Sequence, residues 1–180
     1  MIHLFLATGF EEIEALTTLD ILRRAGLEVN TVSITGTRLI IGAHGIPVMA
    51  DSLFRKKDID NSEALILPGG MPGAKNLMAC DGLRRALVMH NNKGTLIAAI
   101  CAAPMILGDQ HLLDGKKATC YPGFQSYFPD DVYVNEPVVR DGNIITGRGP
   151  GAAVDFAFAI VENFVEKSVV ERLKFDMLML

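Results

Sequence analysis

The chain has 180 residues, 49% of them hydrophobic and 21% charged, with a formal net charge of −4. That length can close a substantial core without staples, and the apolar–charged balance argues against a disordered chain. The acidic balance, with no Lys/Arg stripe interleaved with aromatics, argues against a nucleic-acid surface.

Met1-Ile2-His3-Leu4-Phe5-Leu6 has no basic lead-in and no small-residue cleavage site, so Ile2–Ala7 reads as a first strand and not as a signal peptide. An amphipathic helix is predicted from about Glu11 to Ala25, ending at Gly26. Leu27–Ile34 is a second strand, and Arg38–Ala50, punctuated by Gly42 and Gly45, a hairpin excursion. The basic run Arg55-Lys56-Lys57 reads as a solvated loop. Ala64–Leu67 is a third core strand that ends in Pro68-Gly69-Gly70-Met71-Pro72-Gly73. Helices follow over roughly Ala74–Met78 and Gly82–His90, the latter with Asp81 as N-cap. Leu96–Ile100 is a continuous apolar run, the pattern of a strand covered on both faces. Short strands are expected at Lys117–Cys120 and Val132–Val134, and a hairpin over Val138–Thr146 turned by Asp141-Gly142. A closing helix runs from Gly151 to about Val165, followed by a further helical segment and an apolar tail, Met177–Leu180.

This alternation predicts one α/β domain over residues 1–180, a flavodoxin-like three-layer sandwich with a mostly parallel sheet and a small antiparallel hairpin. In such sheets ligands sit beyond the carboxyl ends of the strands, where the Gly9-Phe10, Gly69-Gly70 and Cys101 segments should converge. The longest nearly apolar stretch, Leu96–Leu107, is too short to span a bilayer and contains Pro104, so no membrane partner is expected. Three cysteines without CxxC spacing argue against a disulfide framework and a zinc site. A cytoplasmic protein needing no metal or cofactor is the economical expectation.

Cys101 follows the Leu96–Ile100 strand and precedes a helix opening Ala102-Ala103-Pro104, so it would occupy a strand-to-helix elbow. Free N–H groups and the helix dipole beside the sulfur would lower its pKa. The same run also fits a buried, inert cysteine. On the helical wheel of residues 11–25, Ala15, Leu19, Ile21, Leu22 and Ala25 form the apolar arc, and Glu14 falls inside it. A carboxyl there must be paired, hydrogen-bonded or protonated, and could exchange a proton with a thiol. Glu11 and Glu12 are expected to interact with the helix N-terminus. Gly69-Gly70 is either a turn needing positive φ or an oxyanion cradle, with the Gly70 and Ala102 N–H groups as donors. It lacks the Lys-Ser/Thr ending of a phosphate loop. None of His3, His44, His90 and His111 has a sequence reason to touch the thiol, His90 lying at the end of a surface helix. Cys80 is expected to be partly exposed and Cys120 to lie in the core.

Gly9-Phe10-Glu11-Glu12-Ile13-Glu14, Leu67-Pro68-Gly69-Gly70, Ala98-Ala99-Ile100-Cys101-Ala102-Ala103-Pro104 and Gly147-Arg148-Gly149-Pro150-Gly151 occur in this order. With these motifs the chain resembles the DJ-1/ThiJ/PfpI superfamily, close to its parkinsonism-protein branch. The resemblance implies a homodimer, Cys101 as the elbow nucleophile, Glu14 as its partner acid, and Gly70 and Ala102 as oxyanion donors. It implies a pocket lined by Gly69, Tyr121, Arg148 and Pro150, with His44 placed where a basic residue reaches the partner subunit's pocket. Two departures stand out: Ala102 follows the nucleophile where hydrolytic relatives carry histidine, and Tyr121-Pro122 replaces a histidine–proline pair.

What the resemblance implies for function is a cysteine-dependent stress enzyme acting on reactive carbonyls, glyoxalase- or deglycase-like. Its partner would be a small α-oxoaldehyde or its adduct on an amine or thiol. The alternatives are a redox sensor or chaperone working through Cys101 oxidation, and a role under the label of thiamine thiazole-phosphate metabolism. Protease activity ranks last because the histidine is missing.

Overall fold

A computed structural model describes residues 1–179. In chain order the elements are β1 (Ile2–Leu6), α1 (Glu12–Arg24), β2 (Val29–Ser33), β3 (Leu39–Ile41), β4 (Pro47–Met49), β5 (Ser52–Leu53), α2 (Lys56–Ile59), β6 (Ala64–Leu67), α3 (Gly73–Met78) and α4 (Asp81–Asn92). Then come β7 (Leu96–Ile100), α5 (Pro104–Asp109), β8 (Val138–Asp141), β9 (Ile144–Gly147), α6 (Ala153–Val161) and α7 (Lys167–Asp176). Short 3-10 turns occupy Phe124–Tyr127 and Pro150–Ala152.

The main sheet has seven strands in the order β5-β2-β1-β6-β7-β9-β8, parallel except for the β8–β9 pair. Every residue of β1, β6 and β7 is buried, as continuous apolar runs require when helices cover both faces. From β1 the chain steps outward through α1 to β2; from β6 it steps the other way through α3 and α4 to β7. Right-handed crossovers in opposite directions put their helices on opposite faces. Accordingly α1 packs with α6, while α4 packs with α2 and α3. The result is the expected flavodoxin-like α/β sandwich. The strand order reverses between β1 and β6, so the crevice at their carboxyl ends is the topological switch point, the usual ligand position in such sheets.

The hairpin excursion is the two-stranded sheet β3–β4. It is fastened to the loop after β1, because the Gly9 N–H donates to Ile41 O and the Ala43 N–H to Phe10 O, both at 2.8 Å.

Several expectations need correction. Asp81 is the first residue of α4 and not its cap; Cys80 holds the cap position without a side-chain bond. Lys117–Cys120 and Val132–Val134 form only one isolated bridge, Ala118 to Tyr133. The closing helix is shorter, Ala153–Val161, with a 3-10 turn before it. The basic run is not wholly loop: Lys56 and Lys57 open α2. In the apolar tail, Leu178 and Met179 are exposed, and Leu180 lies outside the described residues.

His90 is not on the surface. Both it and His3 are buried at the amino-terminal edge of the sheet. Their proton positions follow from the network. The Ser62 hydroxyl donates to Ile59 O (2.7 Å), so it can only accept from His3 Nδ1–H (2.7 Å). His90 Nε2–H also donates to Ile59 O (2.8 Å), leaving Nδ1 to accept from the Thr95 hydroxyl (3.1 Å). Both rings are thus satisfied when neutral, and burial holds their pKa values below the ordinary histidine range. The unfolded chain therefore takes up more protons just below pH 6.5, and stability falls as pH drops through that window. In a Glu14→Gln background, which removes the opposing pH dependence of that buried carboxyl, we expect the urea midpoint to fall between pH 7 and pH 5.5, and to fall less when His90→Gln is added. Equal pH dependence in the two proteins would remove the histidine network as its cause.

Candidate active site

Three loops meet at the switch point. The loop after β1 leads into α1, which carries Glu14; the loop after β6 carries Gly69 and Gly70; Cys101 directly follows β7. The loops are laced together by backbone bonds: the Glu11 N–H donates to Gly69 O (3.0 Å) and the Gly73 N–H to Gly9 O (3.1 Å).

Cys101 has φ of 65°, a left-handed conformation that costs a non-glycine residue about 1–3 kcal/mol. It is held there from both sides, its N–H donating to Gly147 O (2.8 Å) and its carbonyl accepting from the Tyr121 N–H (2.9 Å). The Gly70 and Ala102 N–H groups and the Glu14 carboxyl lie close enough to the Cys101 sulfur to act on its ionisation. Gly69 and Gly70 are glycine for a structural reason. A Cβ on Gly69 would lie 2.7 Å from Cys101 Cβ and 2.8 Å from Glu14 Oε2. Gly70 has φ of +84°, and a Cβ there would lie 2.3 Å from the Glu11 backbone nitrogen.

Glu14 is fully buried, as its place on the apolar arc predicts. One oxygen, Oε2, accepts from the Gly69 N–H at 2.7 Å. The other, Oε1, is buried without a hydrogen-bond partner, and the nearby Cys101 thiol acts on the carboxyl's ionisation. Burial raises the Glu14 pKa to about 7, against the opposing pull of the bonds to Cys101 and Gly69.

The thiol behaves differently from the sequence expectation. Burial, then the charge of the Glu14 carboxylate and its hydrogen bond, push the Cys101 pKa up; the Gly70 and Ala102 N–H groups pull it down. The six-residue α5 offers only a short dipole, and the desolvation of Cys101, 8% exposed, outweighs it. What the site produces is a coupled pair. The first proton leaves with an apparent value near that of Glu14, and the second is held far more tightly. The single negative charge is stabilised by the Gly69 N–H on the carboxylate, or by the Gly70 and Ala102 N–H groups on the sulfur.

The other expected residues are distributed around this centre. Tyr121, Arg148 and Pro150 line one open cleft of about 400 Å³, together with Pro122, Pro137 and Gly149. His44 is not among the cleft-lining residues. Its N–H and its Nδ1 both bond the Glu12 carboxylate at 2.8 Å, and Glu11 lies 3.7 Å from Nδ1. Glu12 therefore engages the hairpin as well as the first turn of α1, where its own N–H acts on the carboxylate, while the cap residue Glu11 makes no side-chain cap bond. Glu11, Glu12 and His44 bring possible metal-ligand atoms within 4.8 Å of one another, but hydrogen bonding within the trio accounts for the grouping. The Glu12–His44 link joins residues 32 apart and has no sequence signal. Cys80 is half-buried and Cys120 buried, both free.

The chain matches the DJ-1/PfpI family over residues 1–163. It is 39% identical to protein DJ-1 homolog B of Arabidopsis thaliana over 89% of its own length, but spans only 37% of that relative. It is 34% identical to the glutathione-independent glyoxalase DJR-1.2 of Caenorhabditis elegans, covering 84% of this chain and 81% of the relative. The structure of oxidized Toxoplasma gondii DJ-1 superposes with a TM-score of 0.92 at 36% identity, over 98% of this chain and 97% of that one. The chain belongs to the DJ-1/PfpI family.

The coupled pair makes a pH signature. Iodoacetamide alkylation of Cys101 should rise through an apparent pKa of about 7, the value at which the pair loses its first proton. In Glu14→Gln that step should vanish, and the rate at pH 7 should drop at least about tenfold, one pKa unit's worth. A wild-type profile rising only near the ordinary cysteine value would show an uncoupled thiol.

Proposed function

We propose that this protein is a cysteine-dependent enzyme that converts small α-oxoaldehydes to hydroxyacids, and releases the same fragment from adducts on amines or thiols. The observation that carries this reading is the sulfur of Cys101 set between two N–H donors and a carboxyl of pKa about 7. A general base poised near neutrality is suited to taking a thiol proton and returning it.

The steps balance without an external oxidant. Cys101 S–H adds across the aldehyde C=O, giving a hemithioacetal, with Glu14 accepting the thiol proton and the Gly70 and Ala102 N–H groups holding the developing oxyanion. Glu14 then moves the proton of the former aldehyde carbon to the neighbouring carbon. The first carbon is oxidised to a thioester and the second reduced to an alcohol. Water cleaves the thioester to a 2-hydroxycarboxylate and regenerates the thiol. On an adduct, the amine or thiol departs when the hemithioacetal forms. The glyoxalase name of the Caenorhabditis elegans relative supports this chemistry. No histidine bonds the Cys101–Glu14 pair among the described residues, which disfavours a Cys–His hydrolase.

A second reading is oxidation of Cys101 as a sensing event. It is favoured by the same N–H pair, which would bind a sulfinate oxygen, and by the oxidized form of the similar Toxoplasma gondii protein. Our reading also includes a reducing, cytoplasmic setting, with all three cysteines free.

We further propose a homodimer. Leu39, Ile41, Ile46 and Met49 on the hairpin and Ile13 on α1 are exposed, and a second copy would cover them. Light scattering at low micromolar concentration should report a dimer for the parent and a monomer for Met49→Glu combined with Ile41→Glu. A parent that scatters as a monomer would remove this assignment.

Incubation with methylglyoxal should yield lactate. Cys101→Ser should abolish turnover, and Glu14→Gln should reduce it by at least about a hundredfold, the usual worth of a general acid–base group. Variants that turn over like the parent would sink the mechanism.

A further inference from the structure

The cleft lined by Tyr121 and Arg148, whose backbone is tied to that of Cys101, holds a charge that the steps above leave unused. Its two walls are fastened to the reactive residue: Tyr121 N–H donates to Cys101 O, and Cys101 N–H donates to the carbonyl of Gly147, the residue before Arg148. Arg148 is itself fixed by its N–H to Pro137 O at 2.9 Å. The guanidinium is exposed, yet no carboxylate pairs with it among the described residues. Arg23, Arg24, Arg84 and Arg172 are each paired with a carboxylate. Of the arginines without such a partner, Arg148 is the one that lines this cleft.

The rest of the lining suits a ligand with one charged end. Pro122, Pro137 and Pro150 offer rigid apolar surface and no N–H donor. The Tyr121 ring, 48% exposed, stands beside Gly149, where a Cβ would approach the ring to 3.2 Å. That glycine leaves room for the tyrosine, whose hydroxyl is a second donor. A guanidinium presents paired donors that fit a carboxylate in two parallel hydrogen bonds. One guanidinium and one hydroxyl suit a monoanion better than a phosphate dianion.

We infer that the compound taken by Cys101 is a small carbonyl compound ending in a carboxylate, which Arg148 holds with help from the Tyr121 hydroxyl. This rests on the carbonyl chemistry proposed above and narrows it from neutral α-oxoaldehydes to anionic ones. Arg148 is a substrate-binding residue on this view, acting on recognition while Glu14 and Cys101 do the chemistry.

The test has two arms. In the first, 4,5-dioxopentanoate and methylglyoxal are compared as substrates of the parent and of Arg148→Gln and Arg148→Lys. The variant Arg148→Gln should lose about tenfold or more in kcat/KM for the anionic substrate, the worth of a charge-assisted pair. Its kcat/KM for methylglyoxal should fall less, so that the preference between the two substrates shifts by about tenfold. Arg148→Lys, which keeps the charge but not the fork, should fall between. The second arm needs no turnover. It measures protection of Cys101 from iodoacetamide by 4-oxopentanoate and by its neutral counterpart 2-pentanone. The anion should protect the parent at about tenfold lower concentration, and that preference should vanish in Arg148→Gln. Equal protection by the two ketones, none by 4-oxopentanoate, or a preference that survives in Arg148→Gln would overturn the inference. If neither dicarbonyl is converted while the anion still protects, the proposed carbonyl chemistry fails and the carboxylate subsite stands.

Discussion

The structure depends on one carboxyl buried against one sulfur. Holding Glu14 at a pKa of about 7, where the free side chain would sit at 4.5, costs roughly 3 kcal/mol at neutral pH and above. Its sign follows from linkage. Below pH 4.5 the group is protonated folded or unfolded and contributes nothing. Between 4.5 and about 7 the unfolded chain ionises first, so the penalty grows with rising pH. The left-handed backbone at Cys101 adds strain in the same place. The site is therefore a net destabilising element, and the fully buried strands on either side of the switch point must offset it.

That cost explains why the surroundings are so constrained. Three loops from β1, β6 and β7 must deliver a carboxyl, two N–H donors and a sulfur to one point, and the tolerance is small. Gly69 and Gly70 have no room for a Cβ because Cys101, Glu14 and the Glu11 backbone occupy it. The Gly69 residue serves twice, since its N–H anchors Glu14 Oε2 while its missing side chain leaves room for Cys101 Cβ and the Glu14 carboxyl. The hairpin β3–β4 braces the loop that begins α1, through Ile41 O, the Ala43 N–H and the Glu12–His44 pair. A segment that looks peripheral in the topology thus positions the first turn of the helix carrying Glu14.

Legibility from sequence follows the range of the interaction. Leu96–Ile100 announces a doubly covered strand because burial on both faces demands an unbroken apolar run, and Cys101 follows at its end. Glu14 is visible because a carboxylate on an apolar arc contradicts the pattern around it. His3 carries the same kind of signal, a polar residue inside the apolar run Ile2–Leu6, and it is buried beside Ser62. His90 is harder to read: its helix is amphipathic and ends beside it, so exposure is the simpler expectation. The four-residue α2 and two-residue β5 are too short for any periodicity to establish. The Glu12–His44 pair depends on how the hairpin folds back, which composition does not encode.

The thiol's protonation departs from its local sequence context for a physical reason that extends beyond this chain. An elbow before a helix suggests a stabilised thiolate, and that reasoning weighs local N–H groups and a dipole against nothing. Once Glu14 is placed fully out of solvent beside the sulfur, desolvation acts on both groups and their charges oppose each other. Two acids in such contact cannot both ionise near neutrality, so neither pKa belongs to one residue alone. The elbow's N–H groups do not make a permanently ionised nucleophile. They lower the energy of the state in which the shared charge has moved onto sulfur. In the mechanism proposed above, an arriving electrophilic carbon would consume that charge in the new bond, and the same donors would then face the oxygen on which charge develops. A site built this way keeps its sulfur mostly protonated until a substrate draws the charge across, which fits a nucleophile that is nearly buried at the end of a core strand.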